Sequence, residues 1–124
     1  MKLVIAGSRH LDVDQELIEG ALWAHKVSLV VPDDEIVAGG CPTGADRAAH
    51  DFAYSQGFKY KEFPADWKKY GNGAGPRRNA EMAVYGDALL LIWDGKSAGS
   101  ANMRARMAGM KKPIYEVIFR SENV

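Results

Sequence analysis

Apolar positions along the chain follow two rhythms. Short apolar runs at residues 3–6, 35–38 and 88–93 read as strands buried on both faces. Between them, apolar residues return every three or four positions, as one face of a helix requires. Leu17, Ile18, Ala21, Leu22 and His25 make such a face, in a helix that runs to about Lys26. Asp12 is placed to cap it, with Gln15 completing a capping box. Residues 30–34, with Pro32, form a turn. A second helix spans Gly44–Gln56, with Ala45, Ala48, Ala49, Phe52 and Ala53 inward and Gly57 closing it.

Residues 58–63 alternate aromatic side chains with Lys and Glu, which suits a strand at a sheet edge. Residues 64–75 read as a long connection carrying Trp67, Tyr70, Gly71, Gly73 and Gly75, the kind that is functional or unstructured. Pro76 fits the first position of a helix running to about Tyr85, with Ala80, Ala83 and Val84 inward. Residues 88–93 are the most apolar stretch and are the expected central strand. A glycine-rich turn at 94–100 opens the last helix, which ends near Lys111 and Lys112, cations suited to its C-terminal dipole end. A final strand covers 114–119, and the polar tail 120–124 is expected to fray. The order βαβαβαβαβ predicts an α/β fold with a parallel sheet and helices on both faces. The 124 residues show no repeat, linker or low-complexity tract, so one domain is expected over 1–124.

Composition narrows the partners. Formal net charge is zero, which weighs against a non-specific grip on nucleic acid or an anionic membrane. Cys41 is the only cysteine, so no internal disulfide forms and a reducing compartment is expected. The apolar start of the chain is too short for a signal peptide, and no segment is long enough to span a bilayer. The expected location is the cytoplasm.

The candidate chemistry lies at strand ends. The first glycine-rich turn, Gly39-Gly40-Cys41-Pro42-Thr43-Gly44-Ala45-Asp46, carries a strand into a helix and offers free N–H groups to an anion. Gly39 to Gly44 has the spacing of half a Walker A loop, but Ala45 and Asp46 stand where that loop needs Lys and Ser/Thr. No GxGxxG is present. The alternative is a plain turn, with Thr43 and Asp46 as a capping box. The second turn and three arginines favour the anion seat. Arg9 follows a strand end, and Arg77 and Arg78 sit in the first turn of a helix, where a cation opposes the dipole unless it meets an anion or a carboxylate such as Asp66 or Glu81.

Five motifs occur in order over nearly the whole chain: Gly7-Ser8-Arg9, the Gly39–Asp46 turn, Pro64-Ala65-Asp66-Trp67, Arg77-Arg78-Asn79 and Trp93-Asp94-Gly95-Lys96-Ser97-x-Gly99-Ser100. Together they resemble the SLOG superfamily (the Smf/DprA and LOG group), and most of all its small YspA-like members from bacteria and phages. The resemblance implies a Rossmann-like three-layer α/β/α sandwich with strand order 3-2-1-4-5 and a pocket for nucleotides or nucleotide-derived molecules. If the chain is phage-encoded, its expected location is the host cytoplasm. The ligand-binding candidates are Gly7, Ser8, Arg9, Gly39, Gly40, Cys41, Thr43, Gly44, Ala45, Asp46, Arg77, Arg78, Asn79, Asp94, Gly95, Ser97, Gly99 and Ser100.

Sensing or sequestering such a ligand is the leading expectation. The first alternative is a nucleotide hydrolase or N-glycosidase of LOG type. That chemistry needs a carboxylate beside an oxocarbenium-like state, and Met103 stands where the LOG glutamate would be. Asp94, Asp46 and Glu81 are the substitutes considered. The second alternative is single-stranded DNA binding of DprA type, which zero net charge disfavours. No resident metal or cofactor is expected, and the one exception considered is Mg²⁺ arriving with a phosphate and held by Asp94. Cys41 reads as a small loop residue rather than a nucleophile. His10 lies near the pocket, whereas His25 and His50 read as ordinary helix residues. Trp67 and Tyr70 either stack on a base or anchor their own segment. Met103, Met107 and Met110 form a stripe that suits the core or a homodimer interface.

Overall fold

Five strands, all pairing in parallel, form a single sheet in the order β3-β2-β1-β4-β5. The computed structural model describes residues 1–119, so the tail expected to fray lies outside the described residues. The elements are β1 (Lys2–Gly7), α1 (Gln15–Ala24), β2 (Glu35–Ala38), α2 (Gly44–Gln56), β3 (Lys59–Glu62), α3 (Trp67–Tyr70), a 3₁₀ turn (Gly71–Gly73), α4 (Ala74–Tyr85), β4 (Ala88–Trp93), α5 (Ala98–Gly109) and β5 (Ile114–Ile118). This is the Rossmann-like arrangement expected.

The alternation of side chains along each strand divides the core into two layers. Leu3, Ile5, Ile36, Leu90 and Ile92 meet the inner faces of α1 and α2, including Ile18, Ala49 and Phe52. Val4, Val37, Leu89, Leu91 and Trp93 meet Met82 and Ala83 of α4 and Met103 and Met107 of α5. Burial of each large aliphatic side chain contributes about 1.5–3 kcal/mol, so Leu3, Val4 and Ile5 of β1 together contribute several kcal/mol. The small inner face of α2, with Ala45, Ala48, Ala49 and Ala53 buried, lets that helix lie close on β1 and β2.

Several local expectations are corrected. β1, not β4, is the central strand; both are covered on two faces, so apolarity alone cannot rank them. The cap of α1 is Asp14, which accepts from the Leu17 N–H at 2.9 Å, and the Asp12–Gln15 box does not form. Gln15 instead accepts from the Ser55 hydroxyl on α2. The Thr43–Asp46 capping box does not form either: Thr43 makes no side-chain cap, its hydroxyl lying 3.7 Å from Cys41 Sγ, and Asp46 accepts from the Cys41 N–H at 3.0 Å instead. Residues 64–75 are mostly helical: Asp66 caps α3 through the Lys69 N–H, the 3₁₀ turn follows, and α4 begins at Ala74. Pro76 is therefore third in the helix, still inside the first turn where no N–H is needed. Val84 points outward and Met110 is exposed. Lys112 serves α4 rather than α5, donating to the carbonyls of Ala83, Val84 and Gly86 at 2.7, 3.1 and 2.7 Å.

Candidate functional site

Strand order reverses at β1, whose neighbours β2 and β4 leave it in opposite directions. In an open parallel sheet the crevice beyond the carboxyl ends of the strands at such a point is where ligands bind. A cleft of about 650 Å³ opens there, within the range of small-molecule sites. The end of β1 and the residues after it supply Ala6, Gly7, Ser8, Arg9 and His10. The start of α2 adds Cys41, Thr43 and Asp46, and the α3–α4 region adds Trp67, Asn72, Gly75, Pro76, Arg78, Asn79 and Met82. Residues 97–103 (save Ala101), with α5's first turn, complete the wall. Three helix beginnings thus converge on one cleft whose floor, Ala6, Met82 and Met103, is apolar.

Each polar group has a definite tether. The Ser8 hydroxyl lies 2.7 Å from that of Ser97 and accepts from the Asp94 N–H at 3.2 Å, which locks β1 to the β4–α5 turn. Asp94 Oδ1 accepts from the N–H groups of Lys96 and Ser97, both at 2.8 Å, and from the Ser97 hydroxyl at 2.9 Å. These donors hold its carboxyl well below the usual carboxylate range, led by the Lys96 and Ser97 N–H groups. The group stays ionised and cannot act as a proton donor. Its other oxygen faces His10 Nε2 at 3.4 Å. A carboxylate so committed to its own turn is a poor seat for Mg²⁺, and among the described residues no three His, Cys, Asp or Glu side chains converge to hold a metal.

Arg78 is half-buried and donates from Nη1 to the carbonyls of Gly39 at 2.8 Å and Phe63 at 3.3 Å, and from Nε to Asn79 Oδ1 at 3.2 Å. It ties the ends of β2 and β3 to α4. Asn79, itself buried, donates to the Gly99 carbonyl at 3.1 Å and to Asn102 Oδ1 at 3.2 Å, so it joins α4 to the start of α5. Among the described residues, none of Arg9, Arg77 and Arg78 has a carboxylate within 4 Å, so the pairing with Asp66 or Glu81 is not made. Arg77 lies over the Tyr70 ring at 4.1 Å, and Arg9 over Trp67 at 5.7 Å. Because α4 starts at Ala74, Arg77 and Arg78 sit just past its first turn, where the dipole opposes a cation less.

Asp46 behaves in the opposite way to Asp94. Burial pushes its carboxyl up, against the pull of the Cys41 N–H and the positive charges of Arg78 and Arg9. A carboxyl of this kind in a cleft is a candidate for proton transfer.

Of the residues expected from sequence, the cleft brings together Gly7, Ser8, Arg9, Cys41, Thr43, Asp46, Arg78, Asn79, Ser97, Gly99 and Ser100. Gly39, Gly44, Ala45, Arg77, Asp94 and Gly95 stand behind or beside this lining, and Gly40 borders a smaller side cleft that shares Cys41 and Asp46. Glu81 is exposed on α4 outside the cleft. Sequence reasoning missed Asn72, Met82 and Asn102. Met82 and Asn102 lie at least one turn inside helices, and only the facing of α4 and α5 could have pointed to them. Cys41 Sγ lies 3.7 Å from the Thr43 hydroxyl and, among the described residues, contacts no histidine. Met103 is buried in the cleft floor, so thioether rather than carboxylate occupies the LOG glutamate position.

Residues 1–70 match the model of the YAcAr family, described as the YspA, cpYpsA-related SLOG family. The chain belongs to this family. The match runs from β1 through α3 and includes the first glycine-rich turn and Trp67. SLOG membership suggests binding or processing related to nucleotides. No curated protein matches the chain. Among the described residues of this SLOG protein, no helix is long and apolar enough to cross a membrane.

Proposed function

We propose that the cleft binds a nucleotide or nucleotide-derived molecule through its phosphate, in a sensing or sequestering role. One observation carries this reading: Arg9 and Arg78 line the cleft without a carboxylate partner, beside the uncapped first turn of α5. Arg78 is already committed to the Gly39 and Phe63 carbonyls and to Asn79, whereas Arg9 is exposed and held only by its loose contact with Trp67, so its guanidinium is free to meet an anion. The N–H groups of Ala98, Gly99 and Ser100 are the first of α5 and have no partner in their own helix. Gly99 supports the same reading, since a Cβ added there meets nothing within 4 Å. Packing does not require glycine at that position, which leaves the backbone there open to close approach by a ligand.

Calorimetry of the intact chain with AMP, cyclic nucleotides, NAD and ADP-ribose tests the proposal. Binding that falls at least tenfold in Arg9→Ala is expected. No heat with any of them at millimolar concentration overturns it.

A hydrolytic reading is favoured by Asp46 alone, whose raised carboxyl faces the cleft. Chromatography of nucleotides incubated with enzyme in excess tests it. Turnover abolished in Asp46→Asn supports hydrolysis, and absence of any turnover leaves binding as the function.

A further inference from the structure

The two aromatic residues of the α3 region are not equivalent. Tyr70 is covered by Arg77 at 4.1 Å and takes no part in the cleft lining. Trp67 lines the cleft and remains 49% exposed. A large indole left half in water on a cleft wall is a surface that still has apolar area to bury. It is also not a core anchor: it belongs to neither buried cluster, and α3 has no buried residue. The turn that carries it is held from its other side, by the Asp66 cap and by the Tyr70 N–H donating to the Asp66 carbonyl at 3.0 Å.

Position adds chemistry to exposure. Arg9 lies over the Trp67 ring at 5.7 Å, close to the roughly 6 Å limit of a cation–π contact. So loose a contact is readily exchanged, which frees the guanidinium for an anion and the ring face for a planar group. The cleft floor is apolar, made by the buried Ala6, Met82 and Met103. Such a floor suits a sugar edge or a heterocycle and does not suit a second charged group.

We infer that Trp67 is the stacking platform for the base of the ligand, and that it selects molecules joining an aromatic heterocycle to a phosphate over sugar phosphates. The inference rests on the phosphate reading of the same cleft. Stacking of a base on an aromatic side chain is strong enough to change affinity by about tenfold or more.

The test compares AMP with ribose 5-phosphate, which share the phosphate and sugar and differ in the base. With the intact chain, AMP is expected to bind about tenfold tighter. Trp67→Ala removes that preference by weakening AMP alone, Trp67→Phe keeps most of it, and Tyr70→Ala leaves it unchanged. Ribose 5-phosphate affinity retained in Trp67→Ala shows that this variant is folded. If it does not fold, fluorescence decides: AMP quenches an emission component that Trp67→Phe lacks, and ribose 5-phosphate does not. Equal affinity for the two probes in the intact chain, equal losses of both in a folded Trp67→Ala, or no quenching assignable to Trp67 overturns the inference and leaves the phosphate seat standing. Failure of both probes to bind overturns the inference, and the seat is overturned as well only if the cyclic nucleotides, NAD and ADP-ribose give no heat either.

Discussion

The two glycine-rich turns look alike as sequence and do different work. In the β2–α2 turn, glycine is demanded by the protein itself. A Cβ on Gly39 would lie 2.2 Å from Arg78 Nη1, and one on Gly44, whose φ is +68°, would lie 2.5 Å from the Ser8 carbonyl oxygen. That turn is compressed between the arginine clamp and the β1 end, and its helix start carries its own acid, Asp46. In the β4–α5 turn, Asp94 is drawn back into the loop, the first turn of α5 has no acid, and Gly99 faces open space. Glycine at these strand–helix junctions therefore answers to internal packing at Gly39 and Gly44 and to a left-handed backbone at Gly95, whose φ is +81°, but to neither at Gly99.

Substitutions can break this contrast. Gly44→Ala should have the largest effect, a loss of about 2–4 kcal/mol from left-handed strain and overpacking, read as a lower urea midpoint. A loss below 0.5 kcal/mol would mean that the first turn has slack. Arg78→Ala should cost about 2–3 kcal/mol, because the Gly39 and Phe63 carbonyls and Asn79 lose their donor. Arg78→Lys should recover only part, since a single ammonium cannot reproduce the fork.

Asp46→Asn should act in the other direction. The folded Asp46 carboxyl titrates above its unfolded value, so the folded state binds more protons in that interval and stability falls as pH rises through it. The penalty is absent only well below the unfolded value, grows as pH rises past it and is full above the folded pKa. Asparagine cannot ionise and still accepts from the Cys41 N–H. A gain of about 0.5–2 kcal/mol at pH 7, shrinking towards pH 3.5, is expected from urea unfolding at the two pH values. A gain that does not change with pH would remove the electrostatic account.

Gly99→Ala should be nearly silent for folding, between neutral and a gain of about 1 kcal/mol. Calorimetry should show its AMP affinity reduced several-fold as the added methyl enters the cleft. Unchanged affinity would make the second turn as structural as the first.

These contrasts also mark what could be read from the residues alone. The bounds of β2 and α2 were legible because apolar periodicity and Gly57 agree. The strand order was legible only through the motifs, since hydrophobic pattern does not say which strand is the neighbour of which. The cap of α1 was misassigned because Asp12 and Asp14 both precede the apolar face, and only Asp14 stands three residues before an N–H it can reach. α3 was invisible, four residues being too few to show a period. In the site, Ser8, Arg9 and Asp46 stood out as residues at strand ends and helix starts. The use of Asp94 as a loop tether was not legible, because its partners are backbone N–H groups that no side-chain pattern reveals.

Lys112 gives this neutral chain a polarity. Its ammonium sits on the last carbonyls of α4, so the negative pole of that helix is already matched. No acid lies in the first turn of α4 or α5, and Arg106 occupies the last turn of α5. The start of α4 keeps about half a positive charge unbalanced at the cleft, whereas the start of α5 faces the Asp94 carboxylate of the preceding loop. A molecule with no net charge therefore offers an approaching anion a local positive pole at the start of α4. That attraction is local, weakens with salt, and is set partly by a lysine at the opposite end of α4.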